Sequence, residues 1–70
     1  MDEAVKLINY KGFDILVRER NRKYQMGIKD RRSCFIWLNN GIYKNPSMAQ
    51  TSGMEYARTV VDKIIVSQKI

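Results

Sequence analysis

The sequence predicts an α+β fold of β-β-β-α order: a three-stranded antiparallel sheet covered on one face by a C-terminal helix. Three observations predict it. Apolar and polar residues alternate from Phe13 to Arg20 and again from Lys23 to Lys29, the period of a half-buried strand. Apolar residues recur at three- and four-residue spacing from Met54 to Ile65, the period of a helix with one buried face. The connections between the apolar runs are short, as in a meander of antiparallel strands.

Each element has its own signal. In the first strand Phe13, Ile15 and Val17 point one way, and Asp14, Leu16, Arg18 and Arg20 the other. Asn21-Arg22 supplies a turn, because Asn tolerates left-handed backbone angles. In the second strand Tyr24, Met26 and Ile28 share a side, leaving Lys23, Gln25, Gly27 and Lys29 opposite. After the polar break Asp30-Arg31-Arg32-Ser33, Cys34 to Leu38 forms the third strand. Cys34, Ile36 and Leu38 take one face of it, Phe35 and Trp37 the other.

The meander spans residues 13–39, and 40–52 reads as a loop rich in Asn, Gly and Ser. Within that loop Asn45-Pro46 has the pattern of a cap over a single helical turn through Gln50. Ser52 and Glu55 are spaced as a capping box for the final helix, 53–69. Its stripe of Met54, Ala57, Val60, Val61, Ile64 and Ile65 is read as core rather than as a partner seam, because an open sheet must be covered. Residues 1–9, with Ala4, Val5, Leu7 and Ile8, fit a short helix or a strand. The whole chain, 1–70, is one small domain.

Composition narrows the chemistry. Seventy residues with 44% apolar and 29% charged types describe a globular chain, whose core supplies only about 3–5 kcal/mol without staples. Cys34 is the single cysteine and there is no histidine, so neither an internal disulfide nor a Cys/His zinc site is expected. Histidine-based acid–base catalysis and serine–histidine triads are excluded. Asp14, Glu19, Asp30, Glu55 and Asp62 lack metal-ligand spacing. Gly41 and Gly53 are isolated and form no phosphate loop. Cys34 is read as a small buried hydrophobe rather than a nucleophile. The expectation is a non-enzyme without cofactor. The run Cys34–Leu38 is far too short to cross a bilayer, and a soluble, cytoplasmic protein is expected.

Charge points to a partner. Thirteen Lys/Arg against seven Asp/Glu give +6. Lys11, Arg18, Arg20, Arg22, Lys23, Lys29, Arg31 and Arg32 stand among only three acids, so +5 lies in one third of the chain. With the helix on the face of Ile15, Val17, Met26, Ile28, Ile36 and Leu38, nothing remains to cover the other. That face shows Arg18, Arg20, Lys23, Gln25 and Lys29 around Leu16, Phe35 and Trp37. Lys and Arg attract phosphates, sheets can enter the DNA major groove, and Arg can read guanine edges. Gly27 is expected to leave room for close backbone approach. The bland alternative is a solvated basic surface, with Phe35, Trp37 and Leu16 as a satellite cluster shielded by arginine stems.

The segments Tyr10-Lys11-Gly12-Phe13, Lys23 to Asp30, Ile36-Trp37-Leu38, Glu55-Tyr56-Ala57-Arg58 and Asp62 follow one order. This order, over residues 10–65, resembles the sheet-plus-helix DNA-binding domain of plant ethylene-response transcription factors. It is also similar to the arm-binding domain of phage tyrosine-recombinase integrases. The resemblance implies a sheet in the major groove, with Lys11, Lys29 and Trp37 at DNA-contact positions. Gly27 and Phe35 depart from the plant pattern, so no base specificity carries over. Integrases continue into a catalytic domain, and a free-standing module resembling small phage and mobile-element proteins is expected. The double-stranded-RNA-binding domain is a second topological relative, without its lysine-rich last helix: Ser52-Gly53-Met54-Glu55 is acidic.

The expected function is therefore duplex DNA binding, or RNA, through Lys11, Arg18, Arg20, Arg22, Lys23, Lys29, Arg31, Arg32, Phe35 and Trp37. The competing class is an inhibitor or adaptor of a host protein, including an anti-defence protein, since Trp and Arg are enriched at protein hot spots. Unpaired sheet edges also allow a dimer.

Overall fold

A computed structural model describes residues 4–32 and 34–68. The fold is α+β, with an antiparallel sheet backed by C-terminal helical structure, but the sheet has four strands rather than three. They run in the order β1 (Ala4–Tyr10), β2 (Phe13–Arg20), β3 (Lys23–Lys29) and β4 (Phe35–Tyr43). The added strand lies in the segment that fitted either a helix or a strand. Val5, Ile8 and Tyr10 stand opposite Val17, Ile15 and Phe13. Leu7 is an extra residue between Lys6 and Ile8, and such a bulge breaks the period-two pattern that marks a strand. Residues 1–3 lie outside the described residues.

Both hairpins at this end of the chain close with two-residue turns. Lys11 and Gly12 have φ of 52° and 88°, Asn21 and Arg22 of 54° and 62°. Positive φ at both turn positions matches the twist of the flanking strands. The turn at Asn21-Arg22 is where local turn chemistry puts it.

β4 runs five residues past Leu38. Asn39, Asn40 and Gly41 read as breakers, but they form a bulge: Trp37 pairs with Gly27, and pairing resumes at Ile42 opposite Gln25. Gly41 is buried there, where a Cβ would stand 3.2 Å from that of Met26. Pairing then continues to Tyr43, and the loop shrinks to Lys44 and Asn45.

Asn45 caps the helical segment that follows: its Oδ1 accepts from the Met48 amide at 2.8 Å, with Pro46 in the first turn. The chain continues without interruption through α1 (Pro46–Met48), a π-helical stretch (Ala49–Gly53) and α2 (Met54–Gln68). Ser52 is thus already inside the helical segment, and Asn45 rather than Ser52 is the cap. Lys69, the expected end, lies outside the described residues.

The core joins Ile15, Met26, Ile28 and Leu38 of the sheet to Ala49, Ala57 and Val61. Val17, Met54, Val60, Ile64 and Ile65 pack around it, half-buried. Gly53 sits where the helical segment approaches the sheet most tightly. A Cβ there would lie 2.7 Å from Met26 Sδ and 3.0 Å from Tyr43 Cε2. Among the described residues no helix is long and apolar enough to cross a membrane.

Two residues lie elsewhere than alternation implies. Ile36 shares the helix-side face with Ile28 but is 48% exposed, because β4 is the outer strand of the sheet. Cys34 is exposed rather than buried. It precedes β4, in a turn where Asp30 Oδ1 accepts from the amides of Arg32 (2.9 Å) and Cys34 (3.0 Å).

Two stability outcomes are expected in denaturant unfolding. Ile28→Ala loses about 2–5 kcal/mol to a core cavity, whereas Ile36→Ala loses less than about 1 kcal/mol because water already reaches that side chain. Gly53→Ala destabilises by about 1–3 kcal/mol through overpacking against Met26, although Ala is the better helix former.

Candidate nucleic-acid interface

Strand register arranges the face away from the helix into rows. One runs Lys6, Leu16, Gly27, Trp37 and a second Ala4, Arg18, Gln25, Ile42. A third runs Asn9, Asp14, Lys29, Phe35, and Arg20 faces Lys23 at the hairpin end. Lys6, Arg18, Arg20, Lys23 and Lys29 thus share a face with one acid, Asp14, among the described residues. No described element covers this face.

Trp37 organises its centre. Gly27 leaves space, and the indole fills it: a Cβ at Gly27 would collide with Cε3 and Cζ3 of the ring. The room expected for a ligand is therefore taken by the protein's own tryptophan. Above the indole lies the Arg18 guanidinium, its carbon 4.2 Å from the ring centroid. Arg18 Nε and Nη2 donate to Gln25 Oε1 at 3.0 and 2.8 Å, and Gln25 Nε2 donates to the Leu38 carbonyl at 3.3 Å. Arg18 is held on two sides, by the ring and by the amide. Leu16, in the same row as Gly27 and Trp37, is buried although no helix covers it.

Phe35 continues the stack outwards. Its ring lies 6.2 Å from that of Trp37, tilted 20°, with Lys29 Nζ 5.3 Å from its centroid. Unlike Trp37, which is half-buried, Phe35 is 52% exposed. The satellite cluster and the cationic surface are thus a single arrangement. Cation–π contact favours the pairing of Arg with Trp.

Asp14 is neutralised locally. Asn9 Nδ2 donates to it at 2.9 Å and Lys6 Nζ lies 3.1 Å away. The Asn9 hydrogen bond, then Lys6, hold its carboxyl below the ordinary 3.8. On the opposite face Glu19, the cross-strand partner of Tyr24, raises the pKa of the tyrosine hydroxyl. Burial raises that of Tyr43.

The remaining basic residues lie at the sheet's ends. Arg22 occupies the β2–β3 turn, beside Arg20 and Lys23. Arg31 and Arg32 follow Lys29 at the other end, and Arg31 Nε lies 3.2 Å from where a Cβ on Gly12 would stand. Lys11 is turned to the helix: its Nζ is 2.9 Å from Asp62 Oδ1, which also accepts from the Tyr10 hydroxyl at 3.1 Å. Lys6, Asn9 and Ile42 join the face from outside the predicted meander. The Leu7 bulge hid the first two, and the Asn39–Gly41 bulge hid the third. Among the described residues no three Cys, Asp or Glu side chains gather as metal ligands.

No protein-family model, curated protein or solved structure matches this chain.

The Lys11–Asp62 contact has a pH signature. The Lys11 hydrogen bond holds the Asp62 carboxyl below 3.8, and Asp62 raises Lys11 above 10.5. The stability due to Asp62 is present above its unfolded value and is lost as pH falls through its folded one. That due to Lys11 is present below its unfolded value and is lost as pH rises through its folded one. Thermal melts of Asp62→Asn are expected to show a smaller drop than wild type between about pH 5 and pH 2. Asp14 preserves part of that acid limb in the variant.

Proposed function

We propose that the open sheet face binds duplex DNA. The observation that carries this reading is four basic side chains, Arg18, Arg20, Lys23 and Lys29, beside a Lys6–Asp14 ion pair, on a face that no described element covers. Arg20, Lys23 and Lys29 are exposed or half-exposed and suit phosphate contacts. Arg18 uses Nε and one Nη2 proton on Gln25, and a guanidinium has five N–H donors. Three remain for phosphate or a base edge. Arg22 extends the basic border at one end of the sheet, Arg31 and Arg32 at the other.

Duplex is favoured over single strands by the state of Trp37. An indole between Gly27 and Arg18 offers no free ring face on which a base can stack, and stacking is what single-strand binders use. Trp37 acts as the platform that positions Arg18, and Phe35 is the ring that meets sugar or a thymine methyl. Lys11, engaged with Asp62, contributes least. A second reading, a host protein as the partner, rests on the exposed Phe35 ring beside Lys29, an aromatic anchor within a polar surround.

The test is titration of a labelled duplex at two salt concentrations. Wild type is expected to bind with a steep salt dependence. Arg20→Glu combined with Lys23→Glu replaces one facing pair of like charges by another, so the fold persists while DNA binding is abolished. Single neutralisations are expected to flatten the logarithmic salt slope by about 0.9 for each phosphate that is no longer neutralised. Absence of duplex affinity in wild type at low salt overturns the reading. Capture of a protein partner that survives high salt and fails with Phe35→Ala establishes the second one.

A further inference from the structure

The outer edge of β4 carries a signal independent of the DNA reading. β4 and β1 are the two edges of the sheet, and exposed edges invite another strand unless Lys, Pro or a bulge guards them. β1 is guarded by Lys6 and by the bulge at Leu7. β4 has no charged residue and no proline in its nine residues, Phe35–Tyr43, although 29% of the chain is charged. Its stretch Phe35–Trp37 pairs regularly with β3 before the bulge begins. Apolar surface flanks that stretch on both sides of the sheet: Ile36 on the helix side, 48% exposed, and Phe35 on the open side, 52% exposed.

We propose that two copies of this chain pair antiparallel through the Phe35–Trp37 edge of β4, with Ile36 opposite Ile36 of the second copy. Three features favour a second copy over another partner. An antiparallel strand pair is related by a two-fold axis, so one segment facing itself is self-complementary. The chain carries +6, and the uncharged edge is where two such chains approach with least repulsion. A polyanion finds no cation on that strand. Pairing β4 with the β1 of the next copy would propagate as an open filament, and Lys6 with the Leu7 bulge opposes it. The two-fold axis stands perpendicular to the sheet. It keeps both helices on one side of an eight-stranded sheet and both basic faces on the other, and covers Ile36 with its own copy.

Sedimentation of the full chain without DNA tests this. The weight-average mass is expected to rise with concentration towards twice 8.2 kDa. Ile36→Lys puts like charges across the pair and weakens self-association about tenfold or more. Val5→Lys on the β1 edge and Val66→Lys on α2 replace side chains at least as exposed and leave association unchanged. Should Ile36→Lys fail to fold, amide exchange of wild type serves: protection of the outward-pointing amides within 35–37 is expected to rise with concentration. A wild type that stays monomeric at millimolar concentration overturns the proposal. So does a Val5→Lys variant that dissociates the dimer, or protection that does not depend on concentration. Since no readout contains DNA, failure here leaves the DNA titration unaffected, and the reverse holds.

Discussion

Met26 is the side chain on which the two layers of the molecule converge. It is fully buried in the middle of β3, and small residues approach it from two elements. Gly53 brings the helical segment down onto its sulfur, and Gly41 brings the β4 bulge against its Cβ. A larger residue at either position would meet Met26 or its neighbours within 3.2 Å. The unusual local structures, the π-helical stretch before α2 and the break in β4, both adjoin these contacts. They let backbone from two elements approach Met26 closely, where a void would leave its side chain with no atoms to pack against.

A single helix covers one face of a four-stranded sheet, and the other face needs a different solution. Here it is a side-chain layer. Trp37 lies flat enough to occupy the space above Gly27, Arg18 lies on Trp37, and Gln25 orients Arg18. The layer is made of groups whose outer atoms are polar, so the face gains packing while staying cationic. An arginine stem and guanidinium suit this role, being apolar along the chain, flat at the head and weakly hydrated for an ion. The same atoms that stabilise the open face therefore create the surface to which the proposed function is assigned.

The ends of the sheet are fastened by polar contacts rather than by core. The β1–β2 turn is tied to α2 through Tyr10, Lys11 and Asp62, and the β3–β4 turn is organised by Asp30. These contacts are exposed or part-buried and individually modest. Their effect is to orient Lys11 towards the helix, away from the basic face that its position in the sequence had implied. Residues close in sequence and alike in charge are thus divided between structural and surface duties by which element stands opposite them.

Much of this was legible in the sequence. The strands β2 and β3, the turn at Asn21-Arg22, the cap at Asn45 and the buried stripe of α2 follow from local rules, because alternation, turn chemistry and helical spacing act within a few residues. Faces follow from the same rules, so Arg18, Arg20, Lys23, Lys29, Phe35 and Trp37 could be placed together without coordinates. What the tertiary structure alone decided depends on contacts between distant segments. β1 is a strand because Val5, Ile8 and Tyr10 find Val17, Ile15 and Phe13, a match that the Leu7 bulge conceals from any periodic pattern. β4 resumes at Ile42 because Gly41 can lie against Met26. Ile36 and Cys34 are exposed because they sit at an edge and in a turn, positions that alternation cannot distinguish from the sheet's interior. Trp37 became a support for Arg18 rather than an open ring, since only cross-strand register brings Gly27 beneath it.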